Sequence, residues 1–282
     1  MIYVSTSCLR YGDKKFHEDF IKVLDLYKEL GIPAVELGAS HKRFDNVKEV
    51  FKYKDDFKFI IHAMFPPQKE HVMLNIAAGD KLREFSILKA KEAIDYCRRL
   101  DAPIYGTHGG ALARTDANGY AIGEIELSRE EAMINIYRSL SEICEYANQY
   151  GVKIALENAC AFLPHLLYIT PDEYKLILKQ VGSKNLGLLV DLGHLAISAK
   201  HNNFDPKWFI NEVESKILEF HVHEVIDGHD HQELIDDQIL KKFGISKSLA
   251  KKSCVTLESN WLTLETLKRS NELLHQAIKV LN

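Results

Sequence analysis

Four apolar segments in the second half of the chain each end in side chains of the types that bind metal ions. They are KIALEN with Glu157, LGLLVDLGH with Asp191 and His194, ILEFHVHE with His221 and His223, and CVTLES with Glu258. A strand buried on both faces is continuously apolar, so a carboxylate at its end needs a cation, a proton or a ligand as partner. Four such endings in succession indicate one shared site.

Three carboxylates and one imidazole form a donor set for a divalent cation. Glu157, Asp191, His221 and Glu258 would suit Mn²⁺, Mg²⁺, Co²⁺ or Zn²⁺ and would leave coordination positions open for substrate oxygens. The set contains no thiolate, which argues against a structural zinc site. Because an open coordination position is typical of a catalytic site, the sequence predicts a metal-dependent enzyme.

Strand-like and helix-like segments alternate along the whole chain and must position these side chains. The predicted strands are 2–7, 34–38, 59–62, 102–108, 153–158, 186–190, 217–221 and 255–258. The predicted helices include 16–30, 47–53, 81–100, 128–150, 171–181, 206–213 and 262–281. Eight such units in 282 residues predict an α/β protein with one closed (β/α)₈ barrel. No linker divides the chain, so one domain is expected over residues 1–282.

In barrels of this kind the active site lies at the carboxyl ends of the strands, so the four segment ends are expected to converge there. The long loops after His62 and over residues 111–126 are also expected to serve function, since long loops in compact domains usually do. The run Ser128-Arg129-Glu130-Glu131 has the pattern of a capping box and marks a helix start.

Composition and charge limit the cellular locations and the kinds of partner that we expect for this chain. Lys and Arg number 36 against 40 Asp and Glu, a net charge of −4, which argues against nucleic acid as the partner. No apolar run approaches the roughly 18 residues of a membrane span. The 5 cysteines are odd in number and scattered, so we expect free thiols and a cytoplasmic location.

The order of the segments, with LEN, DLGH, FHVHE and LES on strands five to eight, resembles the xylose isomerase-like TIM-barrel superfamily over essentially the whole chain. That superfamily contains sugar and sugar-phosphate isomerases and epimerases, and also nucleases of the endonuclease IV type. The loop FPPQKEHVMLNIAAGD looks like one found in bacterial proteins described as sugar isomerase-like, which favours a sugar.

The resemblance implies a divalent-metal-dependent isomerase or epimerase that acts through a metal-stabilised cis-enediolate. It implies Glu157, Asp191, His221 and Glu258 as the metal ligands. Glu157 and Glu258 would face each other across the sugar and exchange a proton with it, a role in which carboxylates act as acid and base. The sequence departs from the epimerase pattern after strand seven, where HVHEVIDGHDH lacks the usual arginine. That departure puts the substrate chemistry of those epimerases in doubt here.

Several further side chains are candidate contacts for a sugar or sugar phosphate. They are His62, His108, His194, His223, Phe65 and Trp261. Phe65 and Trp261 follow strand ends and would form an apolar wall, with ordinary packing as the alternative. His221 and His223 are two residues apart on their strand, so their side chains point to the same side and either both face inward or neither does. His71, His165, His201 and His275 are interpreted as surface residues.

The resemblance leaves two alternatives open. An endonuclease IV-like phosphodiesterase with several zinc ions would need more ligands, and the candidates are His62, His108, His194 and a group from DGHDH, either Asp227 with His229 or His229 through His231. The other alternative is an inactive sugar-binding barrel, marked by a Glu258 that does not reach the metal. Asp191 has an ordinary alternative role as a helix N-cap. The resemblance also allows a homodimer.

Overall fold

The computed structural model describes residues 1–9, 19–38, 47–67, 73–114, 124–161, 164–260 and 262–281. Within these ranges the strands are β1 Ile2–Ser5, β2 Ala34–Leu37, β3 Lys58–His62, β4 Ile104–His108, β5 Lys153–Glu157, β6 Leu186–Asp191, β7 Ile217–Val222, β8 Glu224–Ile226, β9 His229–Gln232 and β10 Cys254–Leu257. Eight of them close a parallel barrel in the order β1-β10-β7-β6-β5-β4-β3-β2, and β8 pairs with β9 as a separate hairpin. The predicted (β/α)₈ barrel is confirmed.

Helices surround the barrel. They are α1 Phe20–Glu29, α2 Asp80–Leu100, α3 Arg129–Asn148, α4 Pro171–Val181, α5 Leu192–Asn202, α6 Pro206–Val213, α7 Ile239–Lys242, α8 Lys247–Lys252 and α9 Leu264–Lys279. Residues Thr6–Leu9, Val47–Tyr53 and Glu214–Lys216 form 3₁₀ turns. None of the helices within the described ranges combines the length and apolarity needed to cross a membrane.

Several elements differ from the sequence prediction. The predicted helix over 47–53 is a 3₁₀ segment, and the first strand ends at Ser5 instead of residue 7. Helix α5 follows β6 directly and was not predicted. Leu192, Leu195 and Ala199 share one face, but Gly193 and Ser198 are also buried and supply no apolar side chain, which obscures the helical period. The loop after strand seven contains the β8–β9 hairpin. Its turn, Asp227-Gly228, has positive φ at both residues (54° and 83°), a conformation that Asp and Gly adopt readily.

The barrel interior is apolar at one level and polar at another. A small cluster fills the interior nearer the strand starts: Tyr3, Ala34, Ile60, Ile104, Ala155 and Leu189. A second, larger cluster lies between the strands and the helices. Residues two positions apart on a strand face the same side, so His62, Glu157 and Asp191, which follow Ile60, Ala155 and Leu189 by two positions, face the interior and form a polar layer at the carboxyl ends.

Capping boxes fix the starts of two long helices. The Ser128 hydroxyl accepts the Glu131 N–H, and the Glu131 carboxylate accepts the Ser128 N–H, as predicted for α3. Thr170 and Glu173 make the same exchange at α4. Arg129 also donates to Glu173 at 2.8 Å, which ties the two helix starts together. Both boxes satisfy backbone donors that would otherwise lack partners.

Candidate metal centre

The four ligands proposed from the sequence lie together at the carboxyl ends of β5, β6, β7 and β10. One ligand atom from each of Glu157, Asp191, His221 and Glu258 falls within 4.8 Å of the others, and we call these four residues the central group. Strand register produces the arrangement: Asp191 pairs with His221 across β6 and β7, and the Glu258 N–H donates to the Val222 carbonyl at 3.1 Å.

The central group fits a divalent cation. His221 Nδ1 lies 2.7 Å from Glu258 Oε2 and 3.9 Å from both Glu157 Oε1 and Asp191 Oδ2. This buried nitrogen nevertheless has no hydrogen bond of acceptable geometry among the described residues. Three crowded, buried carboxylates repel one another unless a cation lies between them. The donor set of oxygens and one nitrogen therefore suits Mn²⁺, Mg²⁺, Co²⁺ or Zn²⁺.

A second group shares Glu157 with the central group. His62 Nε2 and His108 Nε2 lie 2.8 and 3.0 Å from the same atom, Glu157 Oε2, and we call these three residues the β4-side group. His108 pairs with Glu157 in the register of β4 and β5. Gly106 leaves the space for the imidazole of His62, since a Cβ there would lie 2.7 Å from its Cδ2 atom.

A third group shares Asp191. Ligand atoms of Asp191, His194, His223 and His231 also lie within 4.8 Å of one another, and we call them the hairpin-side group because β9 supplies His231. His194 Nε2 lies 3.6 Å from Asp230 Oδ2, and Cys160 forms a further set with these two residues. The three groups therefore follow one another across the barrel mouth, with a carboxylate at each junction.

His223 is better placed to hold Asp191 than to bind an ion. Its Nδ1 accepts the His231 N–H at 2.8 Å, so we assign the ring proton to Nε2. That nitrogen lies 3.0 and 2.9 Å from the two oxygens of Asp191. Gly193 permits this position, because a Cβ there would lie 2.0 Å from the His223 ring.

The two roles considered for Asp191 from the sequence, helix cap and metal ligand, are compatible in the structure. Its Oδ1 accepts the His194 N–H at 2.7 Å and so caps α5, while Asn158 donates its side-chain amide to the Asp191 carbonyl. The carboxylate is fully buried. The cap orients the side chain toward the central group, so helix capping and metal ligation are compatible here.

Neighbouring histidines keep the central carboxylates ionised. Burial raises the pKa of Glu157, but His108 and His62 outweigh it and lower that pKa well below its usual range. In the same way, histidines overcome burial and lower the pKa of Asp191 strongly and that of Glu258 to about 2. Burial lowers the pKa of His62, but Glu157 outweighs it and raises that pKa to about 9. The carboxylates thus have the charge that binds a cation.

Other sequence predictions have mixed outcomes. Asp227 and His229 are exposed in and beside the hairpin turn and belong to none of the groups, so they are corrected as ligand candidates. Asp230, between His229 and His231, instead lies beside His194, where Asp227 or His229 was expected. Sequence reasoning missed it because the facing of side chains along DGHDH depends on where the hairpin turns.

Phe65 and His165 both lie in buried surroundings. The Phe65 ring packs edge-on against Phe20 and Tyr96 at 5.7 and 5.4 Å in the helix-facing core, so ordinary packing describes it better than a sugar wall. His165 is buried, and the prediction of a surface position was wrong. Trp261 and His71 lie outside the described residues.

The fold and the site define a class: (β/α)₈ barrels with buried carboxylates and histidines at the carboxyl-terminal mouth. The model of the xylose isomerase-like TIM barrel family matches residues 17–281, and the chain belongs to that family. The resemblance noted from the sequence is confirmed.

Individual relatives agree with this assignment. The uncharacterised protein MJ1311 of Methanocaldococcus jannaschii is 26% identical over 247 residues, which is 84% of this chain and 76% of that protein. A D-tagatose 3-epimerase-like protein superposes with a TM-score of 0.75 at 23% identity, covering 99% of this chain and 97% of its own. D-Psicose 3-epimerase from Clostridium cellulolyticum H10, solved with D-tagatose, superposes with a TM-score of 0.67 at 16% identity, covering 100% of this chain and 99% of its own. At these identities the solved structures establish the shared fold.

Proposed function

We propose that this chain is a divalent-metal-dependent isomerase or epimerase of a sugar or sugar phosphate. The central group carries the proposal: three ionised carboxylates and an imidazole nitrogen within 4.8 Å of one another at the end of the barrel where such enzymes react substrates. The superposed sugar epimerases support the choice of substrate class.

A bound divalent cation would polarise the substrate carbonyl and stabilise the negative charge that develops on its oxygen. The protein would supply the proton transfers. Glu157 ends β5 and Glu258 directly follows β10, with β6 and β7 between these two strands in the barrel. One carboxylate would remove the proton beside the carbonyl and later release it to solvent, and the other would take up a proton from solvent and deliver it to the opposite face to give the epimer. His62, His108 and His194 are the proposed polar contacts to the substrate, whereas His223 holds Asp191, since both of its ring nitrogens are already engaged.

Substitution of Glu258 by Gln tests the acid–base role. Ketopentoses, ketohexoses and their phosphates are incubated with Mn²⁺- or Co²⁺-loaded protein in D₂O, and deuterium entry at the carbon beside the carbonyl is followed by NMR. We expect exchange in the wild type, its loss in Glu258→Gln, and its retention in the control Glu265→Gln on the surface of α9. Exchange that persists in Glu258→Gln would rule out the assignment.

A second function, metal-dependent phosphodiester hydrolysis, is favoured by the two flanking groups. The β4-side and hairpin-side groups extend the central group through Glu157 and Asp191, and a chain of carboxylate-bridged sites suits several ions that hold a water and neutralise a leaving oxygen. His62 and His108 converge on the same atom, Glu157 Oε2, at 2.8 and 3.0 Å, and this arrangement could bind an additional ion.

Metal stoichiometry separates the two functions. After reconstitution with Zn²⁺, the isomerase proposal expects one tightly bound ion, unchanged in His108→Ala and Asp230→Asn. The phosphodiesterase proposal expects more than one, with a loss in each variant and none in the control Asp227→Asn. Hydrolysis of bis(4-nitrophenyl) phosphate should then fall in the variants that lose an ion and be retained in the control.

The inactive sugar-binding alternative is less well supported. It expects Glu258 outside reach of the ion, whereas the Glu258 carboxylate lies among the central ligand atoms. We keep a cytoplasmic location as part of the proposal, since all five cysteines are free thiols. A homodimer stays a prediction, to be tested by sedimentation.

A further inference from the structure

A buried carboxylate lies beneath the central group, on the far side of His221 from the proposed ion. Glu36 is in β2, which meets β1 and β3 in the barrel, whereas His221 is in β7. The two side chains meet across the interior: His221 Nε2 lies 2.8 Å from Glu36 Oε2, and both residues are fully buried. The imidazole is therefore held between Glu36 on one side and three carboxylates on the other.

The two nitrogens of His221 have different partners. Nδ1 faces Glu258, Glu157 and Asp191, whereas Nε2 faces Glu36. An imidazole that binds an ion through one nitrogen carries its single ring proton on the other, and a carboxylate at 2.8 Å from Nε2 is an acceptor for it. With the proton on Nε2, the lone pair of Nδ1 points toward the central carboxylates and is free to bind an ion.

The second carboxylate near this nitrogen has a different partner. Glu219 lies in the same strand as His221, but its Oε1 is 3.7 Å from Nε2. The Thr256 hydroxyl donates to that same oxygen at 2.6 Å. Glu219 is thus engaged elsewhere, and Glu36 makes the short contact.

Burial of the Glu36 carboxylate is energetically unfavourable for the folded state. Its Oε1 atom is buried and has no hydrogen-bond partner in the part of the chain that the structure describes. An unsatisfied buried carboxylate oxygen destabilises a fold. Ligand atoms of Glu36, His62, His221 and Glu258 also lie within 4.8 Å of one another, but the short contact of Glu36 is with Nε2 of His221 at 2.8 Å.

We propose that Glu36 is a positioning residue for the metal centre, which accepts the Nε2 proton of His221 and so orients Nδ1 toward the ion. The carboxylate also makes the imidazole a stronger donor, as partners of metal-bound histidines do. The inference rests on the proposed metal-dependent function and adds a residue that binds neither metal nor substrate.

Metal affinity in matched variants tests the proposal. Co²⁺ is titrated into wild type, Glu36→Gln and Glu219→Gln in competition with a chromophoric chelator, and the visible Co²⁺ spectrum is recorded. We expect affinity to fall about 10- to 100-fold in Glu36→Gln, with a changed spectrum, because lost outer partners of ligands have effects of this size. Glu219→Gln should stay within about threefold, since Glu219 does not make the short contact.

The outcomes separate this proposal from the functional one. Wild type that binds no Co²⁺ overturns the metal centre and both proposals with it. Wild type that binds, with Glu36→Gln binding equally well, overturns only the role of Glu36. Loss of a whole ion from Glu36→Gln would make Glu36 a ligand and would also overturn the positioning role.

A measurement on the wild type covers the case in which Glu36→Gln does not fold. In ¹⁵N-labelled protein loaded with ¹¹³Cd²⁺, the metal should couple to Nδ1 of His221, and Nε2 should carry a slowly exchanging proton. Coupling to Nε2 instead, or absence of that proton, contradicts the proposal.

Discussion

Gly193 is the residue at which one added carbon would disturb the site most. The His223 imidazole occupies the space that a side chain would need, and His223 in turn holds both oxygens of Asp191. The glycine of DLGH thus acts on a metal ligand through an intervening imidazole. Gly193 contributes by having no side chain in the volume that the His223 ring occupies, an effect that the contacts of the ligands alone do not show.

Substitution of Gly193 by Ala is expected to displace His223 and to weaken metal binding by about 10- to 100-fold, the range found for partners of metal ligands. Gly79→Ala is the matched control, since Gly79 has ordinary extended backbone and no atom within 4 Å of the added Cβ. Calorimetric titration with Mn²⁺ measures both. Equal affinities for the two variants would mean that His223 does not support Asp191.

At the scale of helices and strands, Glu173 joins two elements. It closes the capping box of α4 and receives Arg129 from the start of α3. Partial burial raises the pKa of Glu173, but the Thr170 N–H, Arg129 and the Thr170 hydroxyl outweigh it, so the pKa is lowered. A carboxylate with a lowered pKa in the folded state stabilises the fold above its unfolded-state pKa.

Glu173→Gln should therefore lower the free energy of unfolding by about 0.5–1 kcal/mol at pH 7, a value reduced for partial solvent exposure. The difference from wild type should shrink as the pH falls from the unfolded-state pKa, 4.5, through the lowered folded-state value. Urea unfolding at pH 7 and at pH 3 measures it, with exposed Asp172→Asn as control. A difference that is the same at both pH values would contradict the ionic origin.

The elements show which parts of the site the sequence could predict. Glu157, Asp191, His221 and Glu258 could be found because each ends an apolar strand, and parallel strands bring their ends to one rim. Glu36 could not, because AVEL is a short strand with its carboxylate inside it and its partner lies 185 residues away. For Asp230, the sequence does not fix where the hairpin turns, and a shift of one residue exchanges the facing of neighbouring side chains.

At the scale of the whole molecule, the barrel encloses an unusual amount of negative charge. Glu36, Glu157, Asp191, Glu219 and Glu258 are all buried in or above its interior. Histidines offset part of this charge, and a divalent cation in the central group would offset more. Metal binding and folding should therefore be coupled, because the unfolded chain does not hold the ligands together.

Removal of metal is expected to lower the melting temperature. An ion at 100 times its dissociation constant stabilises the folded state by about 2.7 kcal/mol, which corresponds to roughly 5–10 °C for a barrel of this size. Scanning calorimetry with added Mn²⁺ and after dialysis against a chelator measures the shift, and Asp191→Asn should lose most of it. Identical melting temperatures with and without the chelator would show that no stabilising ion binds.

Closure of the barrel has a consequence for the order in which the site can form. Strand β10 fits between β1 and β7, and Glu258 directly follows β10. Pairing between segments so far apart in sequence is a slow, non-local step of folding. A cation that arrives before β10 has docked therefore meets an incomplete set of ligands, and tight binding has to await closure.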